Sequence, residues 1–108
     1  SITHVVRGAD LLDSTPRQVY LQKLLSLPTP VYLHLPVAVN GRGEKLSKQP
    51  LAPAVGAANP VAVLFDVLVF LGQAPPEELK DAGLDDFWKW AIAHWQAGGL
   101  PAVRVKTA

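Results

Sequence analysis

The apolar positions of this chain switch between the two-residue period of strands and the three-to-four-residue period of helices. Ile2 to Val6 is short, apolar and β-branched, which predicts a buried strand. A helix start follows at Thr15-Pro16-Arg17-Gln18, with Thr15 as the cap, Pro16 at the first helical position and Gln18 closing a capping box. Val19, Tyr20, Leu24, Leu25 and Leu27 supply its apolar face, and Pro28 and Pro30 end it. Val31 to Leu35 predicts a second strand, with Val31, Leu33 and Leu35 on one face and Tyr32 and His34 on the other. Strand, crossover helix and strand add up to a right-handed βαβ unit with parallel strands. Two parallel strands cannot bury both of their faces unaided, so the pattern reads as a fragment of a doubly wound α/β domain.

Past residue 50 the pattern changes. Residues 50–58 are a Pro/Ala/Gly linker. Asn59 then caps a helix opened by Pro60 and closed by Gly72, despite its β-branched content. Pro75 to Leu79 reads as a short helical turn with an acidic start. A last helix is expected from Asp85, its cap, to Ala97, with Gly98-Gly99 as the stop. Leu84, Trp88, Ala91 and Trp95 recur at helical spacing with Phe87 nearby, which predicts packing against the preceding helix, while Trp90 points elsewhere. The alternative use of Trp88, Trp90 and Trp95 is a stacking platform for bases. Residues 100–108 read as a loose tail. Residues 50–108 thus form a linker and a small all-helical module.

Composition narrows the options. A chain of 108 residues can build one small domain with a modest core. Ten prolines keep the elements short. A formal net charge of +1 gives no strong global attraction to nucleic acid, so any RNA contact has to come from a local patch. The absence of cysteine excludes disulfides and thiolate zinc sites from these residues, and it suits a cytoplasmic protein. No secretory signal is present. The most apolar run, Val61 to Leu71, is about half of the ~20 residues that span a bilayer, and Asp66 interrupts it. A chain that opens in mid-strand without Met reads as the downstream piece of a longer polypeptide.

Candidate chemistry sits at two places. Arg7 stands at the carboxyl end of the first strand, where ligands bind in open α/β sheets, and Gly8 lets the backbone turn away. Its planar fork suits a carboxylate. The alternative is a surface arginine paired with Asp10 or Asp13. Asp10 has two readings of its own: a contact to a ribose hydroxyl or substrate ammonium, or a local salt bridge or turn cap. The second place is Lys45-Leu46-Ser47-Lys48-Gln49, which follows the strand VYLHLPVAV and the loop NGRGE. Two lysines flanking a hydroxyl on a loop make a mobile positive clamp for a polyphosphate, and equally an ordinary solvated turn. His4, His34 and His94 read as structural: they make no metal-ligand spacing and have no nucleophile spaced for a triad.

KLSKQ resembles the KMSKS signature of class I aminoacyl-tRNA synthetases. Together with ITHVVRGADLLDSTPRQ upstream, it resembles most closely the glutamyl-Q tRNA(Asp) synthetases, a truncated branch of the glutamyl-tRNA synthetases. The match is close from Ile2 to Gln49 and weaker through Gln96. The resemblance implies a Rossmann-like catalytic domain whose carboxy-proximal half is residues 1–49. It implies that Arg7 binds glutamate and that Lys48 neutralises the triphosphate of ATP, carried with Mg2+. Lys45 would assist at the phosphates, Ser47 would donate a hydrogen bond, and the Leu46 backbone would lie near adenine. Leu46 and Gln49 depart from the consensus Met and Ser; Leu conserves volume, and a terminal Gln is common in the glutamyl-Q branch. The implied activity is glutamate activation to glutamyl-adenylate and transfer to the queuosine of tRNA(Asp), by a cytoplasmic monomer with no membrane partner. No H-x-G-H occurs here, so the HIGH-like motif, and the zinc site of many relatives, belong upstream. These residues alone are expected to be inactive. The competing readings are a fragment of an ordinary glutamyl-tRNA synthetase and a non-catalytic RNA-binding paralogue.

Overall fold

Parallel pairing of the first two strands organises the amino-terminal region. The structure is a computed structural model that describes residues 1–48, 54–56 and 58–108. Strand β1 (His4–Gly8) runs parallel to β2 (Val31–Leu35), with Val5 opposite Tyr32 and Arg7 opposite His34. The strand starts later than its apolar run suggests. Ile2 stays 72% exposed, and Arg7 and Gly8 enter the ladder instead. Apolar content marks where a strand can form, whereas its ends depend on the partner it meets.

A six-residue 3-10 helix, Ala9–Ser14, runs directly into α1 (Thr15–Leu24). The expected Thr15 capping box is therefore not made. Ser14 already has helical angles and no side chain caps the helix, because the preceding turn offers carbonyls to its first N–H groups. The helix also ends before the two prolines. Ser26 takes φ 55, Ser26 N donates to Lys23 O (3.1 Å) and Leu27 N to Gln22 O (2.9 Å), a Schellman closure with serine in the usual glycine place. No residue of α1 is buried, so its expected apolar face lies largely exposed.

The run VYLHLPVAV is two strands rather than one. Pro36 cannot donate to a ladder, and it separates β2 from β3 (Val37–Val39). The tail expected to be loose supplies the partner of β3. Strand β4 (Val105–Thr107) pairs with it in parallel, Val37 N donates to Arg104 O (2.9 Å), and Arg104 pairs with Asp13 (3.0 Å). Nothing in the apolar pattern of a three-residue strand distinguishes it from coil.

By its contacts the chain divides into Ser1–Lys45 with Ala102–Thr107, and Leu46–Pro101 with Ala108. The second unit is built of helices. Helix α2 (Pro60–Phe70) starts as expected, with the Asn59 side chain accepting from Ala62 N at 3.2 Å. It ends as expected too, through Gly72 at φ 71 and Gln73 N donating to Leu68 O. The acidic 3-10 turn forms at Glu77–Asp81. Helix α3 (Leu84–His94) follows Gly83, with Asp85 and Asp86 in its first turn near the positive end of the dipole rather than Asp85 as cap. It stops short of Ala97 because the Gln73 side chain captures the next backbone groups. Gln73 Oε1 accepts from Gln96 N (2.9 Å), and Gln73 Nε2 donates to Gln96 O (3.1 Å).

The core of this unit is Val61, Phe65, Leu68, Leu79, Phe87 and Ala91, with Trp90 packed against it. The buried face of α3 is thus centred on Phe87 (1% exposed), and Trp88 and Trp95 lie partly open at 46% and 40%. Both line an apolar groove of about 270 Å³ with Leu64 and Ile92. Gly72 is a weak point for substitution: its φ is left-handed, and a Cβ would run into the Gly99 carbonyl. Gly72→Ala should lower the stability of this unit by roughly 2 kcal/mol, seen as an earlier urea midpoint at unchanged slope.

Candidate functional site

Strand alternation and register set the site. Residues opposite each other in a parallel pair share a face, so Val5 and Arg7 lie on the side of the sheet that carries Tyr32 and His34. The Arg7 guanidinium sits 5.1 Å from the centre of the Tyr32 ring, and Tyr32 stacks with His34. Helix α1 covers this face. Gln22 Nε2 donates to Tyr32 Oη (2.8 Å), and Thr15 Oγ1 accepts from Arg7 Nη2 (2.8 Å). Arg7 Nε donates to His34 Nε2 at 3.3 Å, and Nη2 also reaches the Leu11 carbonyl at 3.5 Å.

All of these acceptors are neutral. Neither carboxylate nearby in sequence pairs with Arg7: Asp10 bonds Lys45, and Asp13 bonds Arg104. The half-buried guanidinium therefore keeps a positive charge with no anionic partner among the described residues. An arginine held in this way is prepared for an anion.

The second element is the hairpin between β3 and Lys45. Asn40 organises it: its Oδ1 accepts from Arg42 N (2.9 Å) and Glu44 N (3.0 Å), and its backbone N–H bonds Glu44 O (2.9 Å). Gly43 takes φ 78, a conformation that glycine adopts without steric cost. Val39 and Lys45 close the hairpin as an antiparallel bridge. Lys45 Nζ then bonds Asp10 Oδ2 at 2.8 Å, tying the hairpin to the turn that follows Arg7. The ion pair of Asp10 is thus not a local one. Its bond spans 35 positions of sequence.

The bond to Lys45 holds the Asp10 carboxyl below its ordinary value. A lowered folded-state value means that the folded chain binds this proton more weakly than the unfolded one. The link is present at neutral pH and lost as the pH falls through and below the ordinary carboxylate range. An NMR titration should show the Lys45 amide and side-chain signals moving together in that acid window, and Asp10→Asn should abolish the movement.

Leu46–Lys48 forms an exposed 3-10 turn directly after this hairpin. The side chains of Ser47 and Lys48 make no hydrogen bond within the described residues, and Gln49 lies outside them. Residues 1–77 match the model of the catalytic domain of class I tRNA synthetases (E and Q). The chain belongs to that family.

Within the family, it is similar to proteins named glutamyl-Q tRNA(Asp) synthetase. That of Aromatoleum aromaticum is 57% identical over 93% of this chain and 32% of its own length. The Thiobacillus denitrificans protein is 52% identical over 93% of this chain and 33% of its own length. For Pseudomonas aeruginosa the values are 50%, 93% and 34%. The chain spans about a third of the length of these relatives. As a class I tRNA synthetase catalytic-domain segment, it shows the mixed strands and helices of α/β architecture. No helix among the described residues is long and apolar enough to cross a membrane.

The remaining histidines do little at this site. His4 bonds its neighbour Thr3, and His94 stacks on Trp90 at 4.5 Å with Nδ1 against the Trp90 carbonyl. Thr15, Tyr32 and Asn40 escaped the sequence reading. The first was read as a helix cap, though the Tyr32/His34 face was visible in the alternation of β2.

Proposed function

We propose that this chain is the KMSKS-bearing part of a protein that activates glutamate with ATP and transfers it to the queuosine of tRNA(Asp). The observation that carries the reading is Arg7, a preset guanidinium with neutral supports and no carboxylate, at the carboxyl end of β1. The names of the relatives support the acceptor. Residues 1–49 are read as the carboxy-proximal half of a doubly wound, Rossmann-like domain, supported by the parallel pairing across a helical crossover. The helices after residue 58 are read as the module that follows, and the location as cytoplasmic.

In the reaction, a glutamate carboxylate oxygen attacks the α-phosphorus of ATP, the bond to the β-phosphate bridge breaks, and pyrophosphate leaves. An acceptor group of the queuosine base then attacks the acyl carbon and displaces AMP. Arg7 holds a glutamate carboxylate. Lys48 neutralises the charge that gathers on the departing phosphates, with Ser47 donating its hydroxyl and the Leu46 backbone flanking adenine. Lys45 anchors the base of the loop on Asp10 and assists at the phosphates; Asp10 itself acts through Lys45 rather than on the substrate. Mg2+ is read as arriving with the nucleotide, and no step is assigned to it.

The test uses the complete polypeptide. It should exchange pyrophosphate into ATP only when glutamate is present, and should load glutamate onto tRNA(Asp) that carries queuosine but not onto the unmodified form. Loading of tRNA(Glu) would identify an ordinary glutamyl-tRNA synthetase instead, and absence of exchange would reject the enzyme. The isolated 108-residue chain should show no exchange.

A further inference from the structure

An arginine has two edges that can present paired N–H donors to a carboxylate: the Nε–Nη2 side and the Nη1–Nη2 end. In Arg7 the first is already occupied. Nε donates to His34 Nε2 (3.3 Å) and Nη2 to Thr15 Oγ1 (2.8 Å), while Nη1 has no hydrogen-bond partner among the described residues. Thr15 Oγ1 and His34 Nε2 are themselves 3.1 Å apart, so the two acceptors form one cradle contributed by α1 and β2. Thr15 serves this cradle instead of capping its helix.

We propose that Thr15 and His34 are positioning residues that lock the Nε–Nη2 edge of Arg7 and thereby present Nη1 as the edge that meets the substrate carboxylate. The inference rests on the reading of Arg7 as the glutamate ligand. The physical reason is preorganisation. A free arginine side chain loses rotamer freedom when it grips a carboxylate, and a guanidinium already held along one edge loses less. His34 accepts from Arg7 only as the neutral imidazole with its proton on Nδ1, because guanidinium offers no acceptor.

The experiment is glutamate-dependent pyrophosphate exchange by the complete polypeptide, with KM measured for glutamate and for ATP. Thr15→Val keeps the shape and removes the hydroxyl. It should raise the glutamate KM about tenfold and leave the ATP KM in place, whereas Thr15→Ser should restore most of the affinity. His34→Gln keeps an acceptor near Nε2 and should hold the glutamate KM near the parent value, whereas His34→Leu removes the acceptor and should raise it. In combination with Arg7→Ala, Thr15→Val should add nothing further.

If Arg7→Ala alone leaves the glutamate KM unchanged, the assignment of Arg7 fails. If Arg7→Ala acts but Thr15→Val is silent, or multiplies with it, the cradle fails while that assignment stands. Equal rises in both KM values for Thr15→Val and Thr15→Ser would mean general damage to the fold, which overturns the positioning role. A parent-like glutamate KM in His34→Leu would overturn the part given to His34.

Discussion

Replacing Arg7 by Ala is expected to raise the glutamate KM of the complete polypeptide by about a hundredfold or more, with the ATP KM nearly unchanged. Truncating one member of a desolvated, hydrogen-bonded charge pair costs roughly 2–5 kcal/mol, and about 1.4 kcal/mol corresponds to a factor of ten. The hundredfold corresponds to about 2.8 kcal/mol, the lower part of that range, because Arg7 is half-buried rather than fully desolvated. Two other cations of the same unit are engaged elsewhere: Arg104 pairs with Asp13 and Lys45 with Asp10. Arg7→Lys should recover only part of the loss, since an ammonium keeps the charge but cannot span His34, Thr15 and a carboxylate in one plane. Isothermal titration with a non-reactive glutamyl-adenylate analogue gives the same comparison without chemistry. Undiminished binding by Arg7→Ala would remove the foundation of the proposed function.

The second large effect is expected at Lys48. Lys48→Ala should lower kcat for glutamate-dependent exchange by about a hundred- to a thousandfold, with small changes in both KM values. The distinction follows from when the interaction is made. A cation on an exposed turn contributes little to holding a solvated triphosphate, but more as negative charge gathers on the leaving pyrophosphate. Lys45→Ala should behave differently, because Lys45 is partly committed to Asp10 and shapes the loop base. Its loss is expected to raise the ATP KM severalfold along with a smaller drop in kcat. Identical profiles for the two lysines would argue against separate roles for anchor and clamp.

Much of the local structure was legible in the residues because its causes are local. Asn59 and Pro60 start α2 and Gly72 ends it as their chemistry requires, since a cap, a fixed φ and a left-handed glycine act within one turn of helix. The parallel β1–β2 pairing followed from two apolar runs joined by a helix-length crossover. The misreadings have longer-range causes. Thr15 carried a strong helix-start signal, yet its hydroxyl went to Arg7 and His34 because the preceding 3-10 helix had already supplied the helix with acceptors. The end expected at Ala97 moved to His94 because Gln73, far upstream in sequence, bonds the backbone of Gln96. Likewise, the tail acquired order only because β3 presents an edge for it to join.

The site divides in the same way. Arg7 and the KLSKQ run stood out because their motifs, taken together, resemble those of the glutamate-specific synthetases; from position alone each had an ordinary surface reading. Those are properties of residue type and immediate neighbours, and the chain order alone carries them. Which anion neutralises which cation is a different question. Asp10 and Asp13 were both candidates for Arg7, and folding delivered one to Lys45 and the other to Arg104. Ionic attraction depends on separation in space, and spacing along the chain says little about that separation once strands pair across tens of residues. Only the tertiary structure could leave the guanidinium without an anion and give it neutral supports.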